Sequence, residues 1–191
     1  FKDDRRDGQG TFTGTDGYVY TGAWAAGQIQ GEGTVTYPDG SVYQGAFRDD
    51  LADGQGKITY PDGSTYDGTW ASGVIEGRGI ATYTNGVVYE GDFVNARNDG
   101  QGVMTYADGY RYEGGWKDGQ RNGIGKAVYP DGTVYEGTFE AGQRHGTGKI
   151  TMASGFVYQG EWQRGEIEGQ GMATYANGDI YEGTFRAGKR Q

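Results

Sequence analysis

The sequence contains no cysteine, and other residues that metal sites and catalytic sites use are scarce. Among its 191 residues there are one histidine and three prolines, and no apolar run approaches the roughly 20 residues of a membrane-spanning helix. Without cysteine the chain forms neither disulfides nor thiolate metal sites. The lone His145 supports neither a histidine metal cluster nor a Ser-His-Asp triad. Because the periplasm and the cytoplasm are both compatible with a cysteine-free chain, the localisation stays open.

Basic residues are also in the minority. Seventeen Lys and Arg stand against 26 Asp and Glu, which gives a net charge of −9. Nucleic-acid binding depends on clustered Lys and Arg, so this balance argues against nucleic acid as the main partner. It disfavours an anionic membrane less strongly, since a local basic patch is sufficient for membrane contact.

The abundant residues recur with a fixed period. A Tyr-x-Gly-x-aromatic pattern returns every 23 residues, and its closing aromatic residue alternates between tryptophan and phenylalanine. A strict period between 20 and 50 residues is typical of a solenoid or array. The tyrosines of the pattern are Tyr20, Tyr43, Tyr66, Tyr89, Tyr112, Tyr135, Tyr158 and Tyr181, and the closing aromatic residues are Trp24, Phe47, Trp70, Phe93, Trp116, Phe139, Trp162 and Phe185.

Each repeat predicts a β-hairpin. In residues 31–47, two runs with period-two alternation flank Pro38-Asp39-Gly40. A three-residue loop places Tyr37 opposite Ser41 and puts the large apolar side chains on one face, whereas a two-residue turn divides them between both faces. We therefore predict an all-β fold without helices: an elongated, open, solenoid-like array of antiparallel β-hairpins in one twisted sheet, with short polar links such as residues 48–53 between hairpins.

The two faces of this sheet have different expected compositions. Gly31, Gly33 and Gly45 are predicted on the aromatic face, where rings pack over the bare backbone. The opposite face is predicted to be acidic and solvated, because Asp67 and Glu90 recur there with their equivalents in other repeats.

Residues 1–191 are predicted to form a single array with an atypical first repeat. Gly14-Thr15-Asp16-Gly17 lacks the tyrosine that usually precedes the turn, as is common for a terminal repeat that caps an array. The chain begins with Phe1 rather than methionine, so we expect it to be a fragment of a longer protein.

The segments Tyr112–Gly125 and Tyr135–Gly148 resemble the MORN repeat, and the resemblance covers essentially the whole chain in about eight units. It implies an elongated all-β array used for protein–protein interaction, scaffolding or dimerisation, with lipid binding in some members. Where MORN repeats accompany an enzyme, the resemblance implies that catalysis belongs to a separate domain. In other repeats, the position of Arg121 and Arg144 is occupied by isoleucine, namely Ile29, Ile75 and Ile167. This puts a general arginine-mediated contact in doubt.

Candidate binding residues fall into two sets, each with a structural alternative. The aromatic residues either contact a partner or form the core and pack against neighbouring tyrosines. The basic residues either contact an anionic group or are simply solvated. The first set comprises Tyr18, Tyr110, Phe156, Trp24, Trp70, Trp116 and Trp162; the second comprises Arg121, Lys126, Arg144 and Lys149.

No catalytic, metal or cofactor site is predicted. Asp and Glu recur in every repeat, whereas an active site is expected to break the repeat pattern once, and one Asp per turn does not reach the ligand density of a calcium loop. The leading hypothesis is a non-enzymatic scaffold that binds a protein segment or its own copy through the aromatic-glycine face or a terminal strand. Peripheral binding to anionic lipid and carbohydrate binding through exposed aromatic residues are the alternatives.

Overall fold

The computed structural model describes residues 2–191, which form seventeen antiparallel strands and no helix. The strands lie in two compact units, Phe1–Arg97 and Asn98–Gln191, and each unit is an open all-β sheet as predicted. The N-terminal unit contains β1 (Gly8–Thr13), β2 (Val19–Ala25), β3 (Gln28–Thr36), β4 (Val42–Arg48), β5 (Leu51–Thr59), β6 (Thr65–Ala71), β7 (Val74–Thr82) and β8 (Val88–Val94). The C-terminal unit contains β9 (Arg97–Thr105), β10 (Arg111–Lys117), β11 (Gln120–Val128), β12 (Val134–Glu140), β13 (Gln143–Thr151), β14 (Val157–Gln163), β15 (Glu166–Thr174), β16 (Ile180–Arg186) and β17 (Lys189–Arg190). The first residue of β9, Arg97, still belongs to the N-terminal unit.

The turn within each repeat is the predicted three-residue loop. The Tyr37 N–H donates to the Ser41 carbonyl at 2.8 Å, and the Gly40 N–H donates to the Tyr37 carbonyl at 2.9 Å. Val35 lies opposite Tyr43 in the β3–β4 pair, so the predicted register is confirmed. Gly40 has a φ of 88°, the left-handed conformation that the last loop position requires.

The predicted polar links are a second kind of tight turn. Between β4 and β5 only Asp49 and Asp50 remain outside the strands, and their φ angles are 49° and 68°. Positive φ at both central residues is the geometry of a type I′ hairpin turn. Four of the six residues expected in the link therefore belong to strands, Arg48 to β4 and residues 51–53 to β5, and the sheet continues from one repeat into the next within each unit.

A bulge follows the tight turn in six strand pairs. In the β4–β5 pair Gly45 pairs with Gly56 and Phe47 pairs with Ala52, so that Ala46 lies opposite three residues. The Tyr43 hydroxyl donates to the Ala46 carbonyl at 2.9 Å, which gives this bulge carbonyl a partner. All eight tyrosines of the repeat pattern donate in the same way to the residue three positions later, at 2.8 to 3.2 Å.

The core of each unit is a chain of edge-to-face aromatic contacts. Each patterned tyrosine contacts the closing aromatic residue of its own repeat, and within a unit it also contacts that of the following repeat. Tyr43, for example, contacts Phe47 and Trp70 with centroids 5.1 Å apart in both pairs. Because the tyrosine ring leans across the sheet, it covers two glycines in neighbouring strands.

Two of the three glycine predictions are confirmed. A Cβ at Gly33 would lie 2.5 Å from the Tyr20 ring, and one at Gly45 would lie 2.8 Å from the Tyr43 hydroxyl. Gly31 differs from the prediction, because its φ of 72° turns an added Cβ toward the Ala23 methyl rather than toward a ring. The positive φ arises at the bulge, which the strand alternation alone does not reveal.

Trp70 stabilises its hairpin through one buried hydrogen bond, from the indole Nε1 to the Gly56 carbonyl at 3.0 Å. Trp70→Phe removes the donor and leaves the carbonyl unpaired, so we expect a loss of about 1–2 kcal/mol in the free energy of unfolding. Thermal unfolding followed by circular dichroism measures this loss. Trp24→Phe is the matched comparison: its 3.3 Å bond is only partly buried, and a smaller loss is expected. Equal stability of wild type and Trp70→Phe contradicts the prediction.

Candidate functional site

The structure places the four tryptophans in the core. Trp24, Trp70, Trp116 and Trp162 are between 4 and 8% exposed, and each indole donates to a glycine carbonyl. Their rings therefore stabilise the hairpins and present little surface to a partner. A candidate binding surface must come from other aromatic residues.

The residue before each three-residue loop forms a partly exposed row, which we call the tyrosine row. These residues lie on the aromatic face because each stands opposite the first residue after the loop, as Tyr37 stands opposite Ser41. Tyr60, Tyr83 and Tyr106 are 36, 43 and 37% exposed. The row consists of Tyr37, Tyr60 and Tyr83 in the N-terminal unit and Tyr106, Tyr129 and Tyr175 in the C-terminal unit.

The predicted contact residues after the loops pack against this row. Tyr110 lies between two row members, with ring centroids 5.3 Å from Tyr106 and 5.1 Å from Tyr129. Likewise, Tyr18 contacts Tyr37 at 6.1 Å and Phe156 contacts Tyr175 at 5.4 Å. All three predicted residues are half-buried, and they widen the row locally into a broader aromatic surface.

An open cavity of about 470 Å³ lies on this surface of the C-terminal unit. Tyr106, Tyr110 and Tyr129 line it together with Trp116 and Arg121. Such a combination of aromatic surface with one polar, charged group is typical of a binding site. The cavity thus brings together two residues of the predicted aromatic set, Tyr110 and Trp116, and one residue of the predicted basic set, Arg121.

Arg121 is held rigidly at the edge of this cavity. Its Nη1 donates to the Tyr110 hydroxyl, and its Nη2 donates to the Gly142 carbonyl at 2.5 Å. The guanidinium carbon also lies 5.7 Å from the Tyr112 ring centroid and 5.3 Å from that of Phe139, within the range of cation–π attraction. A preorganised guanidinium can bind an anionic group at a lower entropic cost than a mobile one.

The four predicted basic residues lie on two different faces. Arg121 and Arg144 lie on the aromatic face, and the Arg144 guanidinium carbon is 4.5 Å from the Trp162 ring centroid. Lys126 and Lys149 alternate with core residues and lie on the opposite face, where the Lys126 Nζ is 2.9 Å from the Glu136 carboxylate. The structure therefore does not bring the four together into one basic patch.

Burial favours the protonated form of three tyrosine hydroxyls on the aromatic face. Burial raises the pKa of Tyr110, although the nearby Arg121 acts in the opposite direction. Burial also raises the pKa of Tyr37 and of Tyr60. Since a neutral hydroxyl both donates and accepts hydrogen bonds, these groups suit polar contacts with peptide carbonyls and amides.

The opposite face carries polar and charged rows without a comparable aromatic surface. In the C-terminal unit it contains a shallow groove of about 670 Å³, lined by Glu136, Lys149, Met172 and Glu182 among others. Within residues 2–191, no group of three or more His, Cys, Asp or Glu is arranged to hold a metal ion. In the same range, no helix has the length and apolar character needed to cross a membrane.

Comparison of structures shows the same fold in proteins of low sequence identity. The TCP domain of Drosophila melanogaster SAS-4 (dCPAP), in complex with a proline-rich motif of Ana2 (dSTIL), has a TM-score of 0.50 and 13% identity, with 93% of this chain and 90% of that chain covered. The G-box domain of the microcephaly protein CPAP has a TM-score of 0.52 and 15% identity, with 94% and 100% covered. At such identities the likeness is one of fold alone.

Sequence comparison identifies the repeats themselves. No curated protein matches the chain. The MORN repeat model, in contrast, matches residues 1–17, 20–42, 43–65, 66–88, 89–109, 112–134, 135–157, 158–180 and 181–191. These matches cover nearly the whole chain in tandem units of about 23 residues, so the chain belongs to the MORN-repeat family.

Proposed function

We propose that the chain is a non-enzymatic protein-interaction module whose tyrosine row binds an extended segment of a partner protein. The observation that carries this proposal is the row itself: aromatic side chains more than one-third exposed at Tyr60, Tyr83 and Tyr106, repeated once in nearly every hairpin. Aromatic residues supply large contact areas at a small cost in side-chain entropy, and they dominate the energy of many protein interfaces.

The spacing of the row suits a segment that runs across the strands. Successive row residues within a unit are one hairpin apart, which corresponds to two strand spacings of about 4.8 Å each; the exception is the step from Tyr129 to Tyr175, where Met152 occupies the intervening position. An extended peptide placed along the row meets one tyrosine every few residues, and its backbone amides and carbonyls meet the tyrosine hydroxyls. The similar fold of dCPAP, whose structure is a complex with a proline-rich motif, supports a segment of this kind as occupant.

The distribution of charge favours a protein segment over a lipid surface. Lys126 and Lys149 lie on the face opposite Arg121 and Arg144, and the Lys126 ammonium is paired with Glu136. Attraction to an anionic membrane adds about 1 kcal/mol per basic residue near the surface, so dividing four residues between two faces leaves a weak effect. A second copy of the chain and an oligosaccharide are the other occupants that an experiment must distinguish.

Selection of twelve-residue peptides from a random display library tests the proposal. We expect selected peptides to bind the wild-type chain. Their affinity for the Tyr106→Ala variant, which lacks one exposed aromatic ring of the row, should be at least tenfold lower. Met172→Ala is the matched control, since Met172 is 43% exposed on the opposite face. Its affinity for the same peptides is expected to stay within twofold of the wild type.

Three outcomes oppose the proposal. The first is that no peptide is enriched, and the second is that Met172→Ala loses as much peptide affinity as Tyr106→Ala does. The third is that the chain binds anionic liposomes or a glycan, that this binding is lost in Tyr106→Ala, and that the selected peptides do not compete with it. Light scattering of the same preparations distinguishes a homodimer: a dimer that dissociates in Tyr106→Ala but not in Met172→Ala assigns the row to self-association instead.

A further inference from the structure

We propose that the C-terminal unit selects a polyproline II segment that carries acidic residues three positions apart, one carboxylate for Arg121 and one for Arg144. This inference rests on the proposed function and specifies the chemistry of its partner. It depends on three features of the structure: the position of the two guanidinium groups, the absence of a carboxylate partner for them within residues 2–191, and the distance between consecutive repeats.

The two arginines occupy one repeat position that varies along the chain. Both side chains are half-buried and lie against rings, Arg121 near Tyr112 and Phe139 and Arg144 near Trp162. The corresponding residue is apolar in four repeats, asparagine in one and arginine in the two terminal repeats, so Arg121 and Arg144 are the one pair of arginines in consecutive repeats. That repeat position is Arg6, Ile29, Ala52, Ile75, Asn98, Arg121, Arg144, Ile167 and Arg190.

Neither guanidinium has a carboxylate partner among the residues that the structure describes. Across residues 2–191, no ion pair joins Arg121 or Arg144 to a carboxylate, although acidic residues outnumber basic ones by 26 to 17. Arg121 uses two N–H groups in its bonds to Tyr110 and Gly142, and a guanidinium has five. The free donors at the edge of the cavity are complementary to a carboxylate on a bound segment.

The repeat distance matches the pitch of a polyproline II helix. Arg121 lies in β11 and Arg144 in β13, two strands apart, and two strand spacings amount to about 9.4–9.8 Å. A polyproline II helix has three residues per turn with a rise of about 3.1 Å each, so its pitch is about 9.3 Å. Every third side chain of such a segment therefore points to the equivalent position of the next repeat. Aromatic-lined grooves are also the usual sites for segments of this conformation.

Three fluorescent peptides in one proline-rich host test the inference by anisotropy titration against the complete chain. The first carries aspartates at positions i and i+3, the second at i and i+2, and the third carries asparagines at i and i+3. We expect the first peptide to bind at least tenfold more tightly than either of the others. Since the first two peptides have the same charge, their difference reports geometry rather than attraction in general.

Two variants assign the preference to the arginine pair. Arg144→Ile introduces the residue that the chain itself has at position 167, and we expect it to reduce the preference for the i and i+3 peptide below threefold. Arg164→Asn removes one positive charge from an exposed turn and introduces the residue found at the equivalent position 95, so it should keep the full preference. Circular dichroism of both variants verifies the fold.

Equal affinity for the i+2 and i+3 peptides overturns the inference, and so does a lack of binding by all three. A host in which glycine replaces proline should bind more weakly, and equal binding by that host overturns the polyproline II assignment. A different result would refute the proposed function: Tyr106→Ala and Met172→Ala would have the same affinity for library-selected peptides. A selected peptide without paired acidic residues that still depends on Tyr106 refutes only the present inference.

Discussion

Replacing Gly56 with alanine is expected to lower the melting temperature of the chain by about 6–12 °C. An added Cβ would press into the Tyr43 ring, 2.5 Å from its Cε2 and closer still to its hydroxyl oxygen. Tyr43 is fully buried and braced by Phe47 and Trp70, so it cannot move aside without breaking those contacts. Overpacking of this kind costs about 3 kcal/mol, and in a chain of this size 1 kcal/mol corresponds to roughly 2–4 °C. Thermal unfolding followed by circular dichroism gives the value.

Gly10→Ala is the matched control, because Gly10 occupies the same repeat position without a preceding patterned tyrosine. The nearest atom to its added Cβ is the Trp24 Nε1 at 3.4 Å, an ordinary van der Waals contact. Alanine also restricts the unfolded chain more than glycine does. We expect the melting temperature to change by less than about 2 °C or to rise slightly. A similar loss in both variants would show that the tyrosine–glycine packing is not the cause.

Alkaline pH is expected to unfold the array between about pH 10 and pH 12. Burial raises the pKa of Tyr66, Tyr112 and Tyr135 to about 12, and it also raises the pKa of Tyr43. In the unfolded chain these hydroxyls titrate near pH 10. The stability they contribute is therefore complete below pH 10 and is lost as the pH rises toward 12, because the unfolded state releases the protons first.

Circular dichroism and the absorbance of tyrosinate at 295 nm measure this effect together. We expect the two transitions to coincide near pH 11. The three hydroxyls with a pKa of about 12 contribute about two to three protons per unfolding event, and the proton of Tyr43 adds to that number. In Tyr112→Phe the proton release should fall by about one. Ionisation of all tyrosines near pH 10 with the strand signal intact would refute the claim that the fold holds them protonated.

The hairpins of the fold were predictable because the length of the loop decides which side chains share a face of the sheet. Tyr37, Val35 and Tyr43 share a face only with a three-residue loop, and the structure has that loop and that register. Gly33 and Gly45 were placed correctly for the same reason: strand alternation alone decides on which face they lie.

The tight turns between hairpins were not predictable from alternation. Asp49 and Asp50 both adopt positive φ, which most residues avoid, so residues 48–53 resemble a loop in the sequence. The bulge that follows is equally hidden: it turns Gly31 toward Ala23, away from the aromatic rings. The tight turn and the bulge both depend on how neighbouring strands pair, and the periodicity of the sequence does not reveal that pairing.

The candidate site was only partly accessible from the sequence. Tyr110 was predicted among the aromatic contact residues and Arg121 among the basic ones, and the structure places the two in hydrogen-bond contact. Tyr106 and Tyr129 were missed because they belong to the regular repeat and were assigned to the core. In the structure they are more exposed than the tyrosines of the repeat pattern. The sequence signal for this exposure is their position at the end of a strand, next to the loop.

Nuclear magnetic resonance of the chain with a library-selected peptide tests the role of the tyrosine row most directly. With carbon-13 in the tyrosine rings and in the methyl groups of Ile and Met, the predicted result is a shift of the Tyr106, Tyr110 and Tyr129 ring signals. The exposed methyl groups of Ile124 and Met172 on the opposite face should keep their positions throughout the titration. Shifts of Ile124 and Met172 with unchanged ring signals of the tyrosine row would contradict the proposed binding face.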